Sequence, residues 1–164
     1  MNAGVTLTHS QRPPAERRRS DLTRVAALVL TAGSSTRFGK PKQFALFQGE
    51  TFIKRIVAAA IEADCAPVVV VTGEDSAQIT SELTRFTVTI AMNPDWQSGL
   101  GSSIVVGIRH AMNLAPELDA VILLACDQPF VTAAVLTQLI QLRLTSGKPI
   151  VVSAYAETLG IPAV

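Results

Sequence analysis

Val25–Gln43 reads VAALVLTAGSSTRFGKPKQ. Its first six residues are a continuous apolar run of strand length. Such a run, with no polar alternation, suits a strand covered on both faces. After Leu30 the chain changes character. Thr31 to Lys42 is a stretch of small and hydroxyl residues that gives way to Arg37, Lys40 and Lys42. Between Val25 and Gln48 there is no acidic residue. A buried strand feeding a small-residue loop with clustered cations suits a polyphosphate. Backbone N–H groups can approach the phosphates, while Arg and Lys neutralise them. A merely polar, basic surface loop has the same composition.

Working outward, strand and helix patterns alternate. Thr51–Asp64 has helical apolar spacing, with Thr51 as its expected cap. Pro67–Thr72 is a second buried strand, and Asp75–Thr84 a short helix. Thr87–Ala91 is a third strand and Gly101–Asn113 a helix. Ala120–Ala125 is a fourth strand, Thr132–Leu144 a helix capped by Thr132, and Pro149–Ser153 a fifth strand. This order implies an α/β fold: a Rossmann-like, three-layer α/β/α arrangement around a mainly parallel sheet. In such sheets ligands bind beyond the carboxyl ends of the strands. That rule selects the loops 31–42, 72–75, 92–101 and 126–130.

The chain has 164 residues, 48% of them hydrophobic and 16% charged, enough for one domain with a real core. Residues 1–24 carry five arginines against Glu16 and Asp21, a net of +3, and read as a disordered basic extension. The body, 25–164, is left at −2, so it has no general nucleic-acid footprint. No apolar run reaches the roughly 20 residues of a membrane span. Cys65 and Cys126 read as free buried thiols in a reducing compartment, and a cytoplasmic protein is expected. His9 and His110 have no partner pattern and receive no role.

Three elements carry chemistry. The first loop is neither a P-loop nor a GxGxxG fingerprint, because five residues separate Gly33 from Gly39 and Pro41 follows Lys40. The Lys40-Pro41-Lys42 sequence favours an extended path, so phosphates would be wrapped by a loop and not seated on a helix. The second element is Ala125-Cys126-Asp127-Gln128-Pro129, at the end of AVILLA. A carboxylate there can hold Mg²⁺ or simply form a turn. The third is Asn93–Ser103, where Gly99, Gly101, Ser102 and Ser103 open a helix. Its free N–H groups and hydroxyls suit a nucleotide, or Ser98 or Ser102 caps the helix in the ordinary way. Trp96 reads as a packing residue.

Together, L-x-A-G-x-S-x-R-F-G-x-x-K (Leu30 to Lys42), N-x-x-W-x-x-G-x-x-x-S (Asn93 to Ser103) and D-Q-P (Asp127 to Pro129) resemble the MobA-like nucleotidyltransferases. The nearest resemblance is to the molybdenum cofactor cytidylyltransferase branch, and it covers about residues 25–164. Ala32 before Gly33, and Pro41 before Lys42, favour CTP over GTP within that resemblance. Pro41 to Phe44 is also similar to methylerythritol-phosphate cytidylyltransferases, which fit the other two motifs less well.

The resemblance implies a Mg²⁺-dependent enzyme that transfers CMP from CTP to a phosphorylated acceptor of molybdopterin type, releasing pyrophosphate. Ala32 and Gly33 would face the nucleoside, while Ser34, Ser35 and Thr36 wrap the triphosphate. Arg37 and Lys42 would be catalytic, neutralising charge at the α-phosphate. Thr72, Gly73, Gly99, Ser102 and Ser103 would line the base and ribose. Asp127 would hold Mg²⁺. In the family, Gly160-Ile161-Pro162-Ala163 opens a substrate-binding segment that continues into a tail with a further metal-binding aspartate. A chain ending at Val164 would lack that aspartate. It would leave the fifth strand beside an unfilled place in the sheet, an exposed edge open to a homo-oligomer. A non-catalytic nucleotide-binding remnant, a chaperone that delivers cofactor to a molybdoenzyme, and a sugar- or alditol-phosphate nucleotidyltransferase are the alternatives.

Overall fold

A computed structural model describes residues 23–32, 41–155 and 158–164. The expected extension therefore falls almost wholly outside the described residues. So do Gly33, Ser34, Ser35, Thr36 and Arg37 of the first loop.

The opening apolar run forms β1 (Val25–Leu30), and every residue of it is buried. It is followed by a short hairpin, β2 (Leu46–Phe47) and β3 (Glu50–Thr51), and by α1 (Phe52–Glu62). Then come β4 (Val68–Thr72), α2 (Ser76–Glu82), β5 (Thr89–Met92), α3 (Leu100–Leu114) and β6 (Ala120–Ala125). The chain closes with α4 (Ala133–Ser146), β7 (Val152–Tyr155) and β8 (Thr158–Ala163). The main sheet has the order β5-β4-β1-β6-β8-β7. β5, β4, β1 and β6 run parallel, while β8 is antiparallel to both its neighbours.

The sheet is apolar on both faces because the strand pleat sends successive side chains to opposite sides. Ala27 and Val29 join Val70, Ile53, Ile56, Ile79 and Leu136 in a core under α1, α2 and α4. Ala26 and Leu28 join Val69, Val71 and Ala111 in a second core under α3. These are the three layers the alternating pattern implies. Gly107 lets α3 sit close to the sheet. A Cβ there would lie 2.9 Å from Val71 Cγ2 and 3.0 Å from a Leu28 methyl.

Local details depart from expectation. The β2–β3 turn, Gln48-Gly49, went unread; both residues have positive φ, as a tight hairpin turn requires. Thr51 occupies the cap position of α1, but its hydroxyl donates to Glu82 Oε1 at 3.0 Å and caps nothing. Thr132 does cap α4, accepting from Val135 N.

The larger correction is at the C-terminal end. The expected fifth strand, Pro149–Ser153, is observed as β7, shifted to Val152–Tyr155. β7 is followed by β8, which fills the place next to β6 and leaves β7 as the outer edge. Pro162 in β8 has no N–H to donate to the ladder. The ladder absorbs it with an irregularity at Val152/Ser153, and Ser153 Oγ donates to the Pro162 carbonyl at 2.8 Å. Val151 and Val164 close the pairing with reciprocal backbone bonds of 2.9 and 2.8 Å.

Candidate functional site

In the sheet β1 has β4, the next main-sheet strand in the chain, on one side and β6 on the other, so the binding crevice of an open α/β sheet falls at the carboxyl ends of β1 and β6. A cleft of about 250 Å³ lies there, lined by Thr31, Ala32, Lys42, Gln43, Leu100 and Asp127 together with Leu30, Ala125, Cys126 and Ile161. The structure thus brings together Ala32, Lys42 and Asp127, which lie 85 residues apart at the extremes of the last pair.

Lys42 begins a single 3-10 turn, Lys42–Phe44, placed by Pro41 in extended conformation. Its Nζ lies 3.4 Å from Asp127 Oδ2, and both side chains stay partly open to solvent. Gln43, the next residue, is almost completely buried, and its amide donates to Asp75 Oδ2 at 2.8 Å. Asp75 occupies the cap position of α2, so this bond ties the turn to the next loop. Gln128 does the same for Asp127. Its Nε2 donates to the Ile161 carbonyl at 2.6 Å, anchoring the loop after β6 to β8. Its Oε1 is buried and has no hydrogen-bond partner.

Gln43 and Gln128 receive no individual role from the sequence, though both fall within its motifs. Only the long-range partner shows what each does.

Thr31 uses its hydroxyl internally, donating to the Val71 carbonyl at 2.8 Å. Cys126 borders the cleft but is a poor thiolate: burial, then the charge of Asp127, pushes its pKa up to about 12. Both cysteines are free and buried, as expected.

Thr72, Gly73, Gly99, Ser102 and Ser103 form a neighbouring cluster and not the wall of this cleft. Asn93 organises it. Asn93 is buried, its backbone N–H donates to the Thr72 carbonyl, and its Nδ2 donates to Ser102 Oγ at 2.9 Å and Ser103 Oγ at 3.0 Å. Ser103 and Thr72 are fully buried, and Thr72 Oγ1 has no partner. Neither Ser98 nor Ser102 caps α3; their hydroxyls donate to the Asp95 and Gly99 carbonyls. Gly99 enters α3 with φ 112° and ψ 175°, a conformation open to glycine and strained for other residues. Trp96 packs as expected. It lies against Gly73, where an added Cβ would be 2.8 Å from its Cγ.

Asp127 is the carboxylate on the cleft wall. Among the described residues no group of three or more His, Cys, Asp and Glu could hold a metal ion. Asp127 alone offers one carboxylate, the kind of donor that a Mg²⁺ completed by water and substrate phosphates would use. No helix among the described residues is long and apolar enough to cross a membrane.

Comparison with known proteins agrees with this fold. Nicotine blue oxidoreductase of Paenarthrobacter nicotinovorans is 30% identical over 111 residues, 67% of this chain. The chain spans about half the length of that relative, 52%. The structure of Rv0371c from Mycobacterium tuberculosis H37Rv superposes with a TM-score of 0.73 at 23% identity, covering 86% of this chain and 70% of that one. The same protein in complex with manganese gives 0.67 at 22% identity, with 86% and 70% covered. CMP:2-keto-3-deoxy-manno-octonic acid synthetase complexed with CTP gives 0.61 at 20% identity, with 79% and 52% covered. Residues 27–164, from within β1 through β8, match the MobA-like NTP transferase domain, and the chain belongs to that family.

Proposed function

We propose that the protein is a nucleotidyltransferase that moves CMP from CTP to a phosphorylated acceptor of molybdopterin type, with release of pyrophosphate. The observation that carries this reading is the Lys42–Asp127 pair at the switch point between β1 and β6. One cation and one carboxylate facing each other there suit a triphosphate and its metal. The CTP named with the octonic acid synthetase supports the choice of nucleotide, as do Ala32 and Pro41. The manganese complex of Rv0371c supports a divalent ion.

An acceptor phosphate oxygen attacks the α-phosphorus of CTP in line with the leaving group. The bond to the β-phosphate breaks, and pyrophosphate carries away the electron pair. Lys42, with Arg37 from the first loop, offsets charge building on the α-phosphate and on the departing pyrophosphate. Asp127 would hold Mg²⁺, which when bound screens the phosphate charges and helps align them. The protein's part is positioning and neutralisation more than covalent chemistry.

Isothermal titration with CTP and with GTP, each with and without Mg²⁺, tests the reading. Magnesium-dependent binding that prefers CTP is expected; no nucleotide binding refutes it. The nicotine blue oxidoreductase relative favours a second reading, a redox enzyme on the same scaffold. Pyrophosphate release separates the two, since a redox reaction produces none.

A further inference from the structure

Gln43 is the residue of the Lys42–Phe44 turn that the fold buries, at 2% exposure. A short 3-10 turn has poor hydrogen-bond geometry and holds itself weakly. Its backbone bonds are local: Phe44 N to the Pro41 carbonyl at 3.2 Å, and Ala45 N to the Lys42 carbonyl at 2.9 Å. A side chain that reaches another element fixes where such a turn points. Burying an amide is unfavourable unless it is paired, so an apolar residue would fill this space better if packing were its only purpose.

The Gln43 amide finds its partner 32 residues away, donating to Asp75 Oδ2 at 2.8 Å. Asp75 stands at the cap position of α2, yet its side chain caps no N–H of that helix. It follows the end of β4 by three residues, and β4 lies beside β1 on the side away from β6. The bond therefore joins the loop after β1 to the loop after β4, across β1 from Asp127. Gln43 is also part of the wall of the cleft that holds Lys42 and Asp127.

We propose that the Gln43–Asp75 bond sets the direction from which Lys42 meets the phosphates of the nucleotide, which makes Gln43 a positioning residue. The inference rests on the nucleotidyltransferase reading and adds to it two residues that touch no substrate in that mechanism. Lysine carries a point charge on a flexible stem, so its length does not fix where the ammonium sits. The backbone of the turn does so, and the neighbouring glutamine fixes the backbone.

Isothermal titration of the full chain with CTP and Mg²⁺ reads the effect, and melting temperature checks the fold. Gln43→Leu should weaken CTP binding about tenfold, the scale of one hydrogen bond to a charged group. Asp75→Ala should do the same from the other side. Gln43→Glu should also weaken it, because two carboxylates then face each other. Gln43→Glu combined with Asp75→Asn should restore it, since the long side chain then accepts from the short one across the same gap. In the Lys42→Ala background, Gln43→Leu should cost no more than about twofold further, because a residue that acts through Lys42 has nothing left to act on. A merely structural role would weaken binding by the same factor in both backgrounds.

Equal CTP affinity in wild type and Gln43→Leu overturns the proposal. So does an equal further loss on top of Lys42→Ala, or a double swap that binds no better than Gln43→Glu alone. Wild-type affinity in Lys42→Ala overturns it too, since the bond would then have no cation to position. If Gln43→Leu does not fold, Asp75→Ala, at a half-buried position, decides the matter in the same two backgrounds. A wild-type chain that binds no CTP refutes the nucleotidyltransferase reading itself.

Discussion

Lys42 Nζ and Asp127 Oδ2 lie 3.4 Å apart across the mouth of the cleft, joining the turn after the first loop to the end of β6. Both side chains keep more than a third of their surface in water, so the pair contributes little to stability. In the proposed reaction the pair acts on the phosphates instead.

Lys42→Ala should therefore leave the melting temperature close to wild type while lowering turnover by about 10²–10³, the cost of a lost transition-state donor. Asp127→Asn should fold normally and lose the magnesium dependence of the reaction. Pyrophosphate release measured across a Mg²⁺ series checks both. An unchanged rate for Lys42→Ala, or a normal Mg²⁺ response for Asp127→Asn, removes that residue from the site.

Gly73→Ala would force its new methyl against the Trp96 ring, 2.8 Å from Cγ. Trp96 must shift, and the 3-10 turn that carries it leads straight into Gly99 and α3. Trp96 is the chain's one tryptophan, so its fluorescence reports the shift directly. A red-shifted emission maximum and weaker nucleotide binding are expected. An unmoved spectrum would show that the indole does not rest on Gly73.

Glu82 ties α1 to α2. It accepts from Lys54 at 2.9 Å and from Thr51 at 3.0 Å, and these bonds hold its carboxyl below the usual range. A depressed carboxylate stabilises the fold above its unfolded pKa of about 4.3, and that contribution is lost as pH falls through the lower folded value. Urea denaturation between neutral pH and about pH 3 should show a steeper acid loss for wild type than for Glu82→Gln. Parallel curves would refute the link.

Burial, with a smaller push from Asp64, raises the Cys65 thiol to about 11, and Cys126 stands at about 12. Raised thiols favour the neutral form, so their contribution is present below the unfolded value of about 8.5 and fades as pH climbs toward the folded values. Neither thiol should react with a disulfide reagent at pH 8 in the folded protein, and both should react after denaturation. Rapid modification of the native chain would contradict the burial of both sites.

The strand runs VAALVL, VVVVT and AVILLA were legible because a strand buried on both faces must be apolar without alternation. Their order with the helical patterns was enough for a layered, mainly parallel sheet, and the loops after the strands, with Asp127 two residues past AVILLA, marked the edge where a ligand is expected. Local pattern could not show which element pairs with which. Pro162 has no N–H to donate to a ladder, yet β8 takes the place beside β6. What Gln43, Asn93 and Gln128 do within their motifs is seen only with their partners, Asp75, Ser102 with Ser103, and the Ile161 carbonyl. The sequence alone determined the layers and the edge of the sheet where a ligand would sit, because apolar periodicity is a local property. The tertiary structure decided which side chains face one another across that edge, because hydrogen bonds and ring contacts between remote segments depend on how the strands are ordered.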